Sequence, residues 1–244
     1  MLDIYKYPDL YDAIHKNYKF DKKLINVIAK KAGGPVLELA SGTGRLTQCI
    51  LNLELNYTGL ELSSEFLRVA KKKFDNLATF YFGTMEQFNL KKKFNFIFLG
   101  FNSFLHNLTD ESALSCLKCV YNHLLDSGTF LVSIFIPDPS FLYRKDGELY
   151  PATAEFDFDG AKCRILESNR YDEDTQINHL KWQVERNGIL LPEVYHYSLR
   201  MFYPHMMDIL LNKAKLDIIN KFGDYDQSPF NEYSKFQIYL CKKS

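Results

Sequence analysis

Fourteen residues, Gly33 to Leu46, constrain this chain more than any others: GGPVLELASGTGRL. A short apolar run, Val36 to Leu39, holds one acid, Glu38. Gly33, Gly34 and Pro35 precede it, and Gly42-Thr43-Gly44 follows. From Arg45 to Leu53 the apolar residues Leu46, Ile50 and Leu53 fall at helical spacing. The pattern predicts a strand, a glycine turn and a helix. Such a unit presents backbone N–H groups at a helix N-terminus and admits a ligand where no Cβ stands. A dinucleotide fingerprint, G-x-G-x-x-G, needs a third glycine, and Thr47 stands in its place. The next expected strand, Tyr57 to Leu60, leads into Glu61, nineteen residues beyond Gly42. A carboxylate there accepts hydrogen bonds from ribose hydroxyls. A ribose acid without the diphosphate fingerprint points to a nucleoside ligand.

The remaining chain reads as alternating helices and strands, then changes rhythm. Residues 1–32 predict two helices, the second capped by Asp21 and stopped at Gly33. Ser63 caps a helix with Glu65 in its first turn and Lys71, Lys72 and Lys73 in its last, an order that suits the helix dipole. That lysine run, and Lys91 to Lys93 before the fourth strand, read as solvated ends. Strands are expected at Thr79–Phe82, Phe94–Leu99 and Thr129–Ile136, with a helix from Thr109 and Gly128 ending that segment. From Ala154 to Phe202 short alternating runs replace the helical period, punctuated by Asp159-Gly160, Glu173-Asp174 and Asn187-Gly188. They predict an antiparallel flap of three or four strands inserted between strands five and six. Pro204 then opens a helix to Ala214, and strands follow at Leu216–Phe222 and Lys235–Cys241.

The segments VLELASGTGR and TGLELS resemble the first two motifs of the class I S-adenosylmethionine-dependent methyltransferases. FGTMEQFNL, FNFIFLGFNSFLHNL and GTFLVSIFIP resemble the later ones, in the family's order and over nearly the whole chain. Within that family the chain most resembles bacterial small-molecule methyltransferases with a late antiparallel flap, such as the amino-sugar N-methyltransferases. The resemblance implies a Rossmann-like, doubly wound α/β fold with a seven-stranded, mostly parallel sheet. Residues 1–153 would be the cofactor-binding core with a helical lid, 154–202 the flap, and 203–244 the completion of the sheet.

The same resemblance assigns roles around S-adenosylmethionine. Glu38 would hold the methionine amino end, directly or through the turn formed by Ala40, Gly42, Thr43 and Gly44. Arg45 would assist the carboxylate and Glu61 the ribose. Leu62, Thr84 and Met85 would meet the adenine, and Tyr11 would reach the cofactor from the leading helix. Two positions depart from the family: Thr84 stands where an acid often accepts from the adenine amino group, and Asn95 where an aspartate is common. Ligands in open parallel sheets bind beyond the carboxyl ends of strands, which brings in Gly100, Phe101 and Asn102 after strand four. His106, in the same segment, reads either as a proton acceptor or as an acceptor-orienting hydrogen bond. In the flap and just after it, Trp182, Arg200 and Tyr203 read as acceptor-binding residues or as a sheet face packed on the core.

Composition limits the alternatives. Thirty basic and thirty acidic residues give a formal net charge of zero, which argues against nucleic acid as a partner. The longest apolar runs fall well short of the roughly 20 residues that span a bilayer, and MLDIYKYPDL lacks the pattern of a signal peptide. Five scattered cysteines suit a reducing compartment. Cys116 and Cys119 form a C-x-x-C inside a helical pattern with no second ligand pair, and none of the six histidines shows metal-ligand spacing. The expectation is a cytoplasmic, metal-free methyltransferase, a monomer or homodimer, acting on N or O of a small-molecule acceptor. An RNA or protein methyltransferase and a catalytically silent partner subunit are the alternatives.

Overall fold

The computed structural model describes residues 3–244. Met1 and Leu2, part of the first expected helix, lie outside them. In chain order the first helices are α1 (Pro8–His15) and α2 (Lys22–Ala32), followed by strand β1 (Val36–Leu39) and the short helix α3 (Thr47–Leu51). Next come β2 (Tyr57–Glu61), α4 (Ser64–Phe74), β3 (Thr79–Phe82), β4 (Phe94–Leu99), α5 (Asp110–His123) and β5 (Leu124–Phe135). After α6 (Pro139–Leu142) follow β6 (Tyr150–Pro151), β7 (Phe156–Phe158), β8 (Ala161–Asp172), β9 (Ile177–Arg186) and β10 (Ile189–Arg200). The chain closes with α7 (Pro204–Lys213), β11 (Leu216–Phe222) and β12 (Phe236–Lys243).

Lys19–Ile136 and Phe202–Ser244 form one compact unit. Its seven strands run in the order β11-β12-β5-β4-β1-β2-β3. Strands β1 to β5 pair in parallel, while β12 pairs antiparallel with β5 and with β11. This is the expected seven-stranded, mostly parallel sheet. The strand order reverses between β1 and β4, so the carboxyl ends of those two strands border the crevice where such sheets bind ligands. All four residues of β1 are buried, as a parallel strand covered on both faces requires. Val36, Leu131, Phe96, Phe98, Ile25 and Ile50 are among the core residues of this unit.

Local readings hold with shifted boundaries. Ser63 accepts from the Phe66 amide at 3.1 Å, and Thr109 forms a capping box with Ser112. The helix expected from Arg45 starts only at Thr47 and lasts five residues, because Gly44 sits at φ +83 and breaks the helical path. Strand β5 begins at Leu124, so Gly128 lies inside it and does not end a segment. Between the pairs Phe94–Leu124 and Phe96–Thr129 the register jumps. A Cβ on Gly128 at that bulge would meet Leu124 and the Leu125 carbonyl oxygen at 2.9 Å.

The described residues through Tyr18 and Pro137–Met201 form the other unit. It holds an antiparallel sheet, β10-β9-β8-β6, with β7 also paired to β8. Four strands form within the expected Ala154–Phe202, and β6, ahead of them, adds a fifth. Asp159-Gly160 and Asn187-Gly188 make the tight hairpin turns, all four residues at positive φ. The unit begins at Pro137, not Ala154, and includes the first helix. Ile4, Leu10 and Ile14 share a core with Phe156, Cys163, Ile165, Val184 and Tyr195, which ties the leading segment to these strands. Among the described residues, no helix is long and apolar enough to cross a membrane.

Candidate active site

The turn after β1 is shaped by three alternate residues at positive φ: Ala40 at 53, Gly42 at 60 and Gly44 at 83. Three of its amides are occupied within the protein. The Ser41 N–H donates to the Leu60 carbonyl and the Gly44 N–H to the Ser41 carbonyl, each at 3.0 Å. The Gly42 N–H donates to Glu61 Oε2 at 2.8 Å. The expected row of free donors at a helix N-terminus is therefore corrected: α3 is short, and these three amides already have partners. The two glycines also differ in what they do. A Cβ on Gly42 would meet nothing nearer than Phe66 at 3.9 Å, so the backbone there is open. A Cβ on Gly44 would lie 2.4 Å from the Phe74 ring, so this glycine is required for close packing against α4. Thr43 is buried beside them.

Glu61 ends β2 at the edge of this turn. Its second oxygen, Oε1, accepts from the Ser63 amide at 2.7 Å. Each carboxylate oxygen thus holds one backbone N–H and retains further acceptor capacity. Burial raises its carboxyl above the ordinary value, and the amides of Ser63 and Gly42 oppose that shift. Leu62, the next residue, is an aliphatic side chain 58% exposed.

Glu38 lies opposite Gly59 in the β1–β2 register. The Tyr57 hydroxyl donates to its Oε2. Burial pushes the Glu38 carboxyl from 4.5 up to about 8, against the lowering effects of the Tyr57 hydrogen bond and the Arg45 charge. Burial thus favours the protonated form of Glu38, and a nearby positive charge would favour the ionised one. Tyr57 was missed from the sequence. Its position two residues before Gly59 is the signal, because alternate residues of neighbouring parallel strands share a face.

Arg45 forms a two-pronged ion pair with Asp21, Nη1 to Oδ1 at 2.9 Å and Nη2 to Oδ2. Asp21 is fully buried, and its side chain makes no capping bond to α2. The capping role read from the sequence is corrected: a desolvated carboxylate is better matched by a guanidinium than by one amide. The same guanidinium lies 4.6 Å from the centre of the Phe101 ring.

After β3, Thr84 and Met85 are half-buried where the chain enters a bend. Asn107 reaches Met85 Sδ at 3.5 Å. Ser115 on α5 donates to the Glu86 carbonyl at 2.7 Å, and His123 Nε2 accepts from the Leu90 amide at 3.0 Å. Helix α5 thereby fixes the segment that carries Thr84 and Met85. At the end of β4, Phe101 and Asn102 both adopt positive φ, 54 and 64. Neither is glycine, and such backbone strain concentrates at functional sites. Asn102 Oδ1 accepts from the Phe135 amide at 2.8 Å, which binds this corner to β5. A Cβ on Gly100 would meet only ordinary contacts, with Ser133 at 3.9 Å and Ile25 at 4.0 Å. His106 is half-buried at the end of the 3-10 turn Ser103–His106. Cys116 is buried with its thiol pushed up by burial, and Cys119 Sγ reaches the Glu86 carbonyl.

The expected residues divide between the two units. Glu38, Ala40, Gly42, Glu61, Leu62 and the residues after β3 and β4 belong to the seven-stranded unit, as does Tyr203, which stacks on His205. Tyr11, Trp182 and Arg200 belong to the antiparallel unit. There Trp182 Nε1 donates to the buried carboxylate of Glu167 at 2.7 Å, a partner with no signal in the sequence. Arg200 is buried at the end of β10.

Comparison with known proteins agrees with this geometry. A family model described as a methyltransferase domain matches residues 36–128. An uncharacterised methyltransferase of Geobacillus sp. (strain WCH70) is 31% identical over 126 residues, 52% of this chain and 57% of that protein. The match thus spans less than two thirds of the relative. Among solved structures, the CcbJ methyltransferase from Streptomyces caelestis superposes with a TM-score of 0.80 at 21% identity, covering 98% of both chains. An S-adenosylmethionine-dependent methyltransferase from Clostridium acetobutylicum gives 0.78 at 19% identity, again over 98% of both. The sugar N-methyltransferase KedS8 from Streptoalloteichus gives 0.73 at 13% identity, over 96% of this chain and 92% of that one. At these identities the structures establish the fold. Residues 36–128 thus match a methyltransferase domain, and the complete sheet around them has the fold of these solved methyltransferases.

Proposed function

We propose that the protein transfers a methyl group from S-adenosylmethionine to a nitrogen or oxygen of a small-molecule acceptor. The observation that carries this reading is the Glu61 carboxylate, which spans the amides of Gly42 and Ser63 at the carboxyl ends of β1 and β2. Its remaining lone pairs suit two ribose hydroxyls, and the open backbone at Gly42 suits close approach. Glu38 suits the methionine ammonium, whose charge would draw its proton off. Leu62, Thr84 and Met85 suit the adenine. The donor supplies an electrophilic methyl group on a sulfonium. The protein's part is to align an acceptor with it, and orientation of this kind accounts for roughly 7–11 kcal/mol of a barrier. His106 is proposed to accept the acceptor's proton or to orient it. Acceptor contacts by Asn102, Trp182, Arg200 and Tyr203 are proposals, each tested by the KM of its own variant.

Two points support a small acceptor. The net charge of zero gives no phosphate-tracking surface, and the fold is that of a sugar N-methyltransferase among others. A cytoplasmic location and a monomeric or homodimeric state complete the proposal. Incubating the protein with methyl-labelled S-adenosylmethionine and a bacterial metabolite extract tests it. One labelled product of low mass, formed by the protein alone, is expected. Label found only in RNA or protein, or no transfer without an added partner, would overturn the reading.

A further inference from the structure

Tyr57 begins β2, and its hydroxyl donates to Glu38 Oε2 on β1. The parallel register sets Val36 opposite Tyr57 and Glu38 opposite Gly59, so Tyr57 and Glu38 share one face of the sheet. Gly59 leaves that face open beside Glu38. The space is filled by Ser41 Oγ and the Phe80 ring, which lie 2.6 and 2.7 Å from where a Cβ on Gly59 would stand. Phe80, on β3, also packs on Tyr57, with ring centres 5.7 Å apart. The Tyr57 ring is thus held by packing, 3% exposed, while its hydroxyl points at the acid.

The buried hydroxyls of Ser41 and Thr47 lie beside the Tyr57 oxygen. Thr47 stands where a dinucleotide fingerprint places its third glycine. A phenol has one proton, and neighbouring hydroxyls that can donate to its oxygen leave that proton for Glu38. Oε1 of Glu38 makes no hydrogen bond with the described residues. Burial chiefly, with the charges of Asp21 and Glu61, favours the protonated carboxyl, and the Tyr57 bond and the Arg45 charge oppose it. Arg45 is itself paired with Asp21, and Cys49, on α3, is a thiol pushed up by burial. Tyr57 is therefore the hydroxyl that both aims Glu38 and supports its ionised form.

We propose that Tyr57 is a positioning residue for the methionine end of the cofactor: its hydroxyl fixes Glu38 Oε2 so that Oε1 receives an ammonium group. The Tyr57–Glu38 bond is seen in the protein alone, and its use toward an ammonium rests on the proposed cofactor site. Phenylalanine at this position would keep the ring on Phe80, free the carboxyl to turn and remove a hydrogen bond that favours the carboxylate. Capture of the ammonium should weaken while the adenosine end is held as before.

Two nucleosides separate these ends. S-Adenosylhomocysteine carries the ammonium, whereas 5′-methylthioadenosine shares its adenosine and sulfur but lacks the amino-acid end. Each is titrated calorimetrically into the full chain. At pH 7, Tyr57→Phe should weaken S-adenosylhomocysteine by roughly fivefold or more, the loss of one hydrogen bond, and leave methylthioadenosine within about twofold of the wild type. The loss should be smaller in a Glu38→Gln background, and smaller at pH 9 than at pH 6, because an alkaline solution ionises Glu38 without the hydroxyl's help. Equal weakening of both nucleosides, weakening of neither, a loss of full size in Glu38→Gln, or one of the same size at both pH values would overturn the assignment. If Tyr57→Phe fails to fold, Glu38→Asp decides. It keeps the acid, one methylene too short to reach the hydroxyl, and should show the same selective loss; unchanged affinity for both nucleosides would overturn the role. A wild type that binds the two nucleosides equally overturns this role and leaves the nucleoside site standing. One that binds neither overturns the cofactor site and this role with it.

Discussion

The Gly42 amide donates to Glu61 Oε2 at 2.8 Å, joining the turn after β1 to the acid at the end of β2. The acid proposed to meet the ribose is thus held by the turn after β1. Displacement of either moves the other, and the first-order effects of substitutions around them follow from which neighbour each side chain touches.

Gly44→Ala should destabilise the protein before any ligand is considered. The new Cβ would fall 2.4 Å from the Phe74 ring, at a backbone φ of 83. Gly42→Ala meets no such obstacle and should cost only the left-handed backbone preference, about 1–2 kcal/mol. Thermal unfolding of the apo variants separates the two. Adding Phe74→Leu to Gly44→Ala should recover part of the lost Tm.

Arg45→Ala should cost about 3–5 kcal/mol, because it strands the Asp21 carboxylate, which is fully buried, without its partner. Arg45→Lys should recover only part, since an ammonium cannot match both oxygens in the observed fork. Denaturant unfolding measures both. A loss confined to cofactor affinity with wild-type stability would instead return Arg45 to a ligand role.

Glu38 makes stability and binding depend on pH. Its folded value, raised by burial to about 8, lies above the ordinary 4.5. Protonated Glu38 therefore favours the folded state: its contribution is complete below about 4.5 and is lost as pH rises through about 8. Glu38→Gln should flatten that decline, with the variant gaining on the wild type between those limits. If the methionine ammonium docks here, S-adenosylmethionine binding at pH 7 should release a proton. Calorimetry in two buffers of different ionisation heat should show the release in the wild type and none in Glu38→Gln.

His106→Asn should lower kcat by about 10²–10⁴-fold if the imidazole takes the acceptor's proton. The acidic limb of the pH–rate profile, near the ordinary imidazole value of about 6.5, should disappear with it. A rise in KM with kcat and that limb retained assigns His106 to orienting the acceptor. Wild-type kinetics throughout would remove it from the reaction.

What the sequence disclosed was set by distance along the chain. The strand–turn unit, Glu61 and the hairpin turns at Asn187-Gly188 are written in local periodicity and in residues that tolerate positive φ. The Tyr57–Glu38 bond is recoverable once β1 and β2 are placed in register. The Arg45–Asp21 pair joins residues 24 apart with no shared pattern, and helix capping was the nearer local explanation for Asp21. Glu167 and Trp182 meet only through the β8–β9 register, and the leading helix joins the antiparallel unit through Ile4, Leu10 and Ile14, contacts that no local signal carries.

Calorimetric titration of S-adenosylmethionine into the wild type and Glu61→Ala tests the cofactor site most directly. One-to-one binding is expected in the wild type, with affinity roughly 5- to 150-fold weaker in the variant, equivalent to losing about 1–3 kcal/mol of charge-assisted hydrogen bonding. No binding by the wild type, or equal affinity in both proteins, would contradict a nucleoside site built on Gly42 and Glu61.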